Sequence, residues 1–354
     1  MTNPATHHDP DRHDPGRSRA EAAPEAGVEL FLADRALDHR RIASWILGLV
    51  TLAALVGAVL HFSSIEEFVA LARRAQPAWL VLAVITQTAT YVCAAAVWRQ
   101  ALHRAGHPRS LRSLFPLGVA KLFMDQAIPS GGASGTLVVV KGLTRRHVRL
   151  HLAMAAMLVG LVSYDAAYLI AVLASAGTLW LHGRAYLAPV ATLGIFASIV
   201  VMIPVAVLVL KRRLNHVPVA WLRKWPGVAV VLNALAKAPT DLLRDTGLLI
   251  QAILLQLGIF LLDAATLWIS FRAVGLTVDF WIVAVSFVIA SMIATVAPIP
   301  LGLGTFEAGS VGMLSLLGVP IEAGFAATLL LRGFSFWLPM LPGLWLTKRE
   351  IGGR

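Results

Sequence analysis

Six ionisable side chains stand where such groups are costly. Lys121, Asp125, Asp165, Asp263, Glu307 and Arg332 each fall within a long apolar run or beside a break in one. Isolated in hydrocarbon, each costs about 2.5–3.5 kcal/mol on insertion scales, so each needs a partner or water and by default marks function. Lys121 and Asp125 are four residues apart and share a helix face, which makes a local ion pair the simplest account of both. Glu307 and Arg332 have no local partner, but they can meet if the helices carrying them pack together. An arginine facing a cavity is also suited to hold a phosphate, since its donors match two oxygens at once. A structural bridge and an anionic-headgroup site are compatible readings of that pair. Asp165, with Tyr164 and Tyr168 beside it, joins Asp263 and Asp125 as a candidate for ion or proton coupling; hydrogen bonding between helices explains these carboxylates equally well.

The elements that must position these groups are broken helices. Residues 297–309, APIPLGLGTFEAG, interrupt an apolar run over 280–318 with Pro298, Pro300, Gly302 and Gly304, and place Glu307 just after the break. Residues 127–135, AIPSGGASG, do the same over 113–143 with Pro129, Gly131, Gly132 and Gly135. Proline removes a backbone donor and glycine weakens a helix, so neither run is one continuous helix. In a membrane, unwound backbone is tolerated only where protein or a water-filled cavity satisfies it. Two such breaks in corresponding halves of a chain point to a transporter's central site. The glycines either let the tips pack closely or offer amides to an anion. The expected substrate-binding set is therefore Pro129, Gly131, Gly132, Gly135, Pro298, Pro300, Gly302, Gly304, Glu307, Arg332 and Lys121.

Composition supports this setting. Hydrophobic residues make up 58% of the 354 and charged residues 14%, with mean hydropathy +0.75. That is the signature of an all-α polytopic membrane protein. Spans of about 20 apolar residues are expected at 42–62, 79–99, 149–175, 188–210, 246–271 and 321–346. The formal charge of +11 lies in short loops, which reads as topology rather than nucleic-acid binding. The segments 35–41, 99–112, 141–149, 211–224 and 348–354 carry 19 Lys and Arg, against 4 in 63–78, 178–187 and 272–279. The first set is expected to face the cytoplasm, with both termini, and to attract anionic lipid headgroups. Both flanks of the first broken segment then lie inside and both flanks of the second outside. The limbs 113–128 and 305–317 reach about 24 and 20 Å, short of the hydrocarbon core. Two re-entrant hairpins entering from opposite faces are expected, an inverted pair suited to alternating access.

Residues 1–34 read as a disordered tail, and 35–350 as one transmembrane domain in which 214–245, with Trp221 and Trp225 beside cations, forms an interfacial segment. The single cysteine, Cys93, allows no intrachain disulfide. No zinc or haem spacing occurs, and no Ser/His/Asp arrangement suggests catalysis, so neither cofactor, metal nor enzymatic activity is expected. His151 reads as a span flank, and Glu66 and Glu67 as a solvated cap.

At its two breaks the chain resembles the lysylphosphatidylglycerol synthase transmembrane-region family, whose members carry an early Pro/Gly-rich break and a late P-x-P-x-G-x-G-x-x-E break. Pro298, Pro300, Gly302, Gly304 and Glu307 match the late one. Pro129 and Gly135 fit the early one, where Thr136 stands in place of an acidic residue and Lys141 substitutes for an arginine. The resemblance covers roughly 40–350 and implies a flippase-like protein of a bacterial-type inner membrane that moves a phospholipid or polyprenyl-phosphate-type lipid. It carries no soluble synthase domain, so aminoacyl transfer is not expected. The rival readings are an ion-coupled transporter of a small anionic solute and a lipid-modifying enzyme. Oligomeric state is not read from the sequence.

Overall fold

Long apolar stretches without internal glycine pairs or proline wind into long helices, and those with such breaks divide into short ones. The computed structural model describes residues 76–127, 133–184, 194, 241–296 and 304–351. The helices are α1 (Pro77–Arg104), α2 (Leu111–Ala127), α3 (Ala133–Arg145), α4 (Leu150–Leu181), α5 (Asp241–Arg244), α6 (Thr246–Ala273), α7 (Phe280–Val296), α8 (Thr305–Leu316), α9 (Ile321–Arg332) and α10 (Leu338–Ile351). A π-helical turn, Gly333–Trp337, joins α9 to α10. The described residues are helical and without strands. Among the described residues four helical runs are long and apolar enough to cross a membrane: α1, α4, α6 and Ile321–Glu350. They match the expected spans at 79–99, 149–175, 246–271 and 321–346, each observed helix ending two to six residues later. The expected spans 42–62 and 188–210, the tail 1–34 and the interfacial stretch 214–240 lie outside the described residues.

The helix ends sort into two groups. At one end Arg104 pairs with Asp245, the Arg109 guanidinium donates to the Arg146 carbonyl, and Arg146 pairs with Glu350. The loops after α1 and after α3, the start of α6 and the end of α10 therefore share one end of the bundle. At the other end the Gln76 amide donates to the Ala273 carbonyl at 3.1 Å, Trp268 Nε1 donates to the Val278 carbonyl at 2.9 Å, and His182 stacks on Trp281 with ring centres 4.0 Å apart. For the segments that the structure describes, the sorting matches the two sets of loops separated by their Lys and Arg content; 35–41 and 211–224 lie outside the described residues.

The broken segments respect this polarity. α2 and α3 run antiparallel: Asp125 bonds the Gly135 amide, and a Cβ on Gly142 would lie 2.3 Å from Leu117. Their outer ends meet at the basic end, where Arg146 Nε donates to Ser113 Oγ at 2.9 Å. α7 begins at the opposite end, beside Trp268. The run from Ile321 to Ile351 is about 46 Å long at the usual rise and finishes at the basic end through Glu350, so α9 also starts at the opposite end. The first broken segment thus starts and finishes at the basic end, and the second at the other.

Two apolar cores divide along the same axis. One gathers α1, α2 and α3 with the first half of α4 (Leu152–Val159) and the first turns of α6 (Leu248, Ala252). The other gathers α7, α8 and α9 with the second half of α4 (Ala167–Leu179) and of α6 (Phe260–Phe271). α4 and α6 are the shared struts, and each broken segment has its own core. Without a hydrophobic force between helices in lipid, close packing and hydrogen bonds must hold such an assembly. Interhelical bonds are present: Thr86 Oγ1 lies 2.9 Å from Thr266 Oγ1, and Ser310 Oγ lies 2.9 Å from Thr328 Oγ1.

Candidate functional site

The second break closes on a single carboxylate. Gly304 takes φ +82°, a conformation in which an L side chain is strained, and starts α8 as its N-cap. Glycine has no side chain to cap with, so only the reciprocal half of a capping box forms: Glu307 Oε2 accepts from the Gly304 amide at 2.7 Å. Glu307 Oε1 accepts from Arg332 Nε at 2.7 Å. The pair is largely enclosed, with side-chain exposures of 9% and 14%. The Arg332 guanidinium also lies over Phe306, 4.6 Å from the ring centre, and within 5.6 Å of Phe336. Arg332 is the last residue of α9, immediately before the π turn. That turn has a local cause: Pro339 lacks an amide to donate to Ser335, and the Leu338 amide instead reaches the Gly333 carbonyl five residues back.

The first break closes by the same chemistry with different parts. Asp125, near the end of α2, accepts from the Gly135 amide at 2.9 Å with Oδ1 and from Lys121 Nζ at 2.5 Å with Oδ2. Ser134 Oγ donates to the Met124 carbonyl at 2.8 Å. The expected Lys121–Asp125 pair is therefore real, and Asp125 has a second task that the sequence did not show. It supplies from the incoming limb the carboxylate that Thr136 does not supply from the outgoing one. Pro129, Gly131, Gly132, Pro298, Pro300 and Gly302 lie outside the described residues.

Both hairpins are fastened to the last helical run, 321–351, one at Arg332 within it and the other at Glu350 near its basic end. Glu307 holds α9; at the other end Arg146, on the turn after α3, donates from both terminal nitrogens to Glu350 of α10, at 2.7 and 2.8 Å. Gly343 of α10 packs so closely on α2 that a Cβ there would lie 2.6 Å from Phe123. Glu350 was missed in the sequence because four residues from the terminus it looks like part of a charged tail. Arg146 was read only as a topological charge.

Asp165 and Asp263 take part in neither clasp. Asp263 Oδ1 accepts from Gln87 Nε2 of α1 at 3.2 Å, and Gln87 Nε2 also reaches Thr90 Oγ1 at 3.3 Å. Asp165 is buried in α4, and its Oδ2 has no hydrogen-bond partner among the described residues. Phe260 of α6 stacks against Tyr164 and Tyr168, with ring centres 5.5 and 4.9 Å away. Neither carboxylate forms an ion pair among the described residues. Gln87 went unnoticed because only ionisable groups were sought within spans; an amide in mid-span is a signal of the same kind. No group of three or more His, Cys, Asp or Glu able to hold a metal occurs among the described residues.

Outside the spans, Asp245 caps α6. The Leu248 amide donating to its Oδ1 at 2.9 Å, and then the Arg104 guanidinium, hold its carboxyl below the usual carboxylate range.

No curated protein matches the chain. A family model does, over residues 45–343, which takes in both breaks, both carboxylate clasps and the whole of α9. With that match on top of a polytopic helical fold, the chain belongs to the lysylphosphatidylglycerol synthase TM region family.

Proposed function

We propose that this protein moves a phosphate-bearing lipid, a phospholipid or a polyprenyl phosphate, between the leaflets of an inner membrane, with both termini in the cytoplasm. The observation that carries the reading is the enclosed Glu307–Arg332 pair at a helix break. Arg332 binds a carboxylate through Nε, and a headgroup phosphate offers it the same kind of acceptor with more charge. Exchange of Glu307 for phosphate at Arg332 loosens α8 from α9, so binding and movement are linked. The two broken segments act as re-entrant hairpins from opposite faces, and the last helix, clasped to one at Arg332 and to the other at Glu350, lets the state of one reach the other across the π turn. The role is transport without catalysis.

A coupled transporter of a small anion is the second reading. It is favoured by Asp165 and Asp263, carboxylates in membrane-crossing helices without an ion pair among the described residues. Reconstituted liposomes carrying a fluorescent anionic phospholipid, assayed by dithionite quenching, separate the two. Lipid movement that is lost in Arg332→Ala and Glu307→Gln, with both variants folded, supports lipid transport. Wild-type rates in both variants refute the site.

A further inference from the structure

The turn between α1 and α2 forms a cleft of about 440 Å³ lined by Arg99, His103, Pro108, Arg109, Ser110 and Leu111. Its charge is one-sided. No carboxylate lines the cleft, and at this end of the bundle Asp245 is engaged by Arg104 and Glu350 by Arg146. Neither Arg99, His103 nor Arg109 forms an ion pair among the described residues. Arg109 is the most committed of them: one terminal nitrogen donates to the Arg146 carbonyl, which fixes the side chain, while its Nε is buried without an acceptor among the described residues. A buried guanidinium N–H lacking a partner is costly, and the cost is relieved by an anion placed beside it. The first turn of α2, a 17-residue helix with no acidic residue there, opens on the same cleft.

We infer that this cleft is a binding site for a phosphate ester, separate from Arg332 and held by Arg99 and Arg109 with His103 and Ser110 beside them. Fixed arginine forks suit phosphate oxygens better than a single ammonium does. The cleft lies at the basic end of the bundle, at the mouth of the first hairpin, where an anionic leaflet would present headgroups. The inference rests on the proposed function only in giving the lipid a station before the central site.

The test uses the full chain in phosphatidylcholine nanodiscs, titrated with short-chain phosphatidylglycerol and, separately, with inorganic phosphate. Thermophoresis reads the affinity. Arg99→Gln and Arg109→Gln are each expected to weaken binding by about fivefold, the ratio matching one basic residue's usual attraction to an anionic surface. Because Arg109 also holds the Arg146 carbonyl, the Arg99→Gln/His103→Gln pair serves as a second variant on exposed positions. Arg112→Gln, outside the cleft, is expected to bind as wild type. Loss with phosphatidylglycerol alone assigns a lipid headgroup, and loss with both probes assigns the phosphate group itself. Equal binding by wild type and all cleft variants overturns the inference, as does an equal loss in Arg112→Gln. This inference fails on the nanodisc titration and the proposed function on the liposome assay, so the two are refuted by different measurements.

Discussion

The two breaks reach the same end by different routes. At each, a carboxylate accepts an amide at the start of the outgoing helix and pairs with a cation: Asp125 with the Gly135 amide and Lys121, Glu307 with the Gly304 amide and Arg332. In the first, every group belongs to the hairpin itself, and the lysine is four residues from the aspartate. In the second, the cation comes from the next helix, 25 residues away. The first clasp is more open, with side-chain exposures of 34% and 21% against 14% and 9%. A local pair can close a hairpin without attaching it to anything. A long-range enclosed pair closes the hairpin and fastens it to the last helix in one step. The first hairpin gains its attachment elsewhere, at its base, through Arg146 and Glu350. The difference predicts that the first tip can open on its own, whereas opening the second must disturb α9.

Removing the cations measures that difference most sharply. Arg332→Ala leaves Glu307 enclosed and unpaired and is expected to destabilise by about 3–5 kcal/mol. Lys121→Met removes a local, partly exposed pair and is expected to cost at most about 1 kcal/mol. Unfolding in bicelles reads both; similar losses would erase the distinction between the two clasps. The glycines give a smaller contrast. A Cβ at Gly135 would lie 2.4 Å from Asp125 Oδ1 and 2.6 Å from the Lys121 carbonyl, and the carbonyl is backbone that cannot swing away. Gly135→Ala is expected to cost about 1–3 kcal/mol by overpacking. Gly304 meets nothing within 4 Å, so Gly304→Ala carries only the strain of its positive φ, about 1–2 kcal/mol. The first loss is relieved in part by Asp125→Ala in the same chain and the second is not, which a double-variant cycle on melting temperature checks.

Much of this was legible in the sequence because its signals are local or compositional. Span positions follow from apolar length, sidedness from Lys and Arg in short loops, and the breaks from proline and glycine. The Lys121–Asp125 pair follows from helical spacing. Glu307 and Arg332 were nominated by the cost of leaving either alone, although spacing could not show that they touch. What was not legible depends on tertiary approach. Nothing in the order of residues says that Asp125 would take the Gly135 amide across a turn, or that Glu350 would lie against Arg146, 204 positions earlier. Gln87 beside Asp263 is the same case, 176 positions apart in the chain and adjacent in the bundle.

The central claim is that the two hairpins are rooted at opposite ends of the bundle and hence at opposite faces of the membrane. In a Cys93→Ser background, single cysteines at His107 and His147 flank the first hairpin, and at Asp279 and Glu322 the second. Impermeant maleimide applied to intact cells and to inverted vesicles reads each position's face. The expected result is that 107 and 147 label together from the cytoplasmic face, and 279 and 322 together from the other. Labelling of 107 and 147 from different faces would make the first broken segment a plain span and contradict the account.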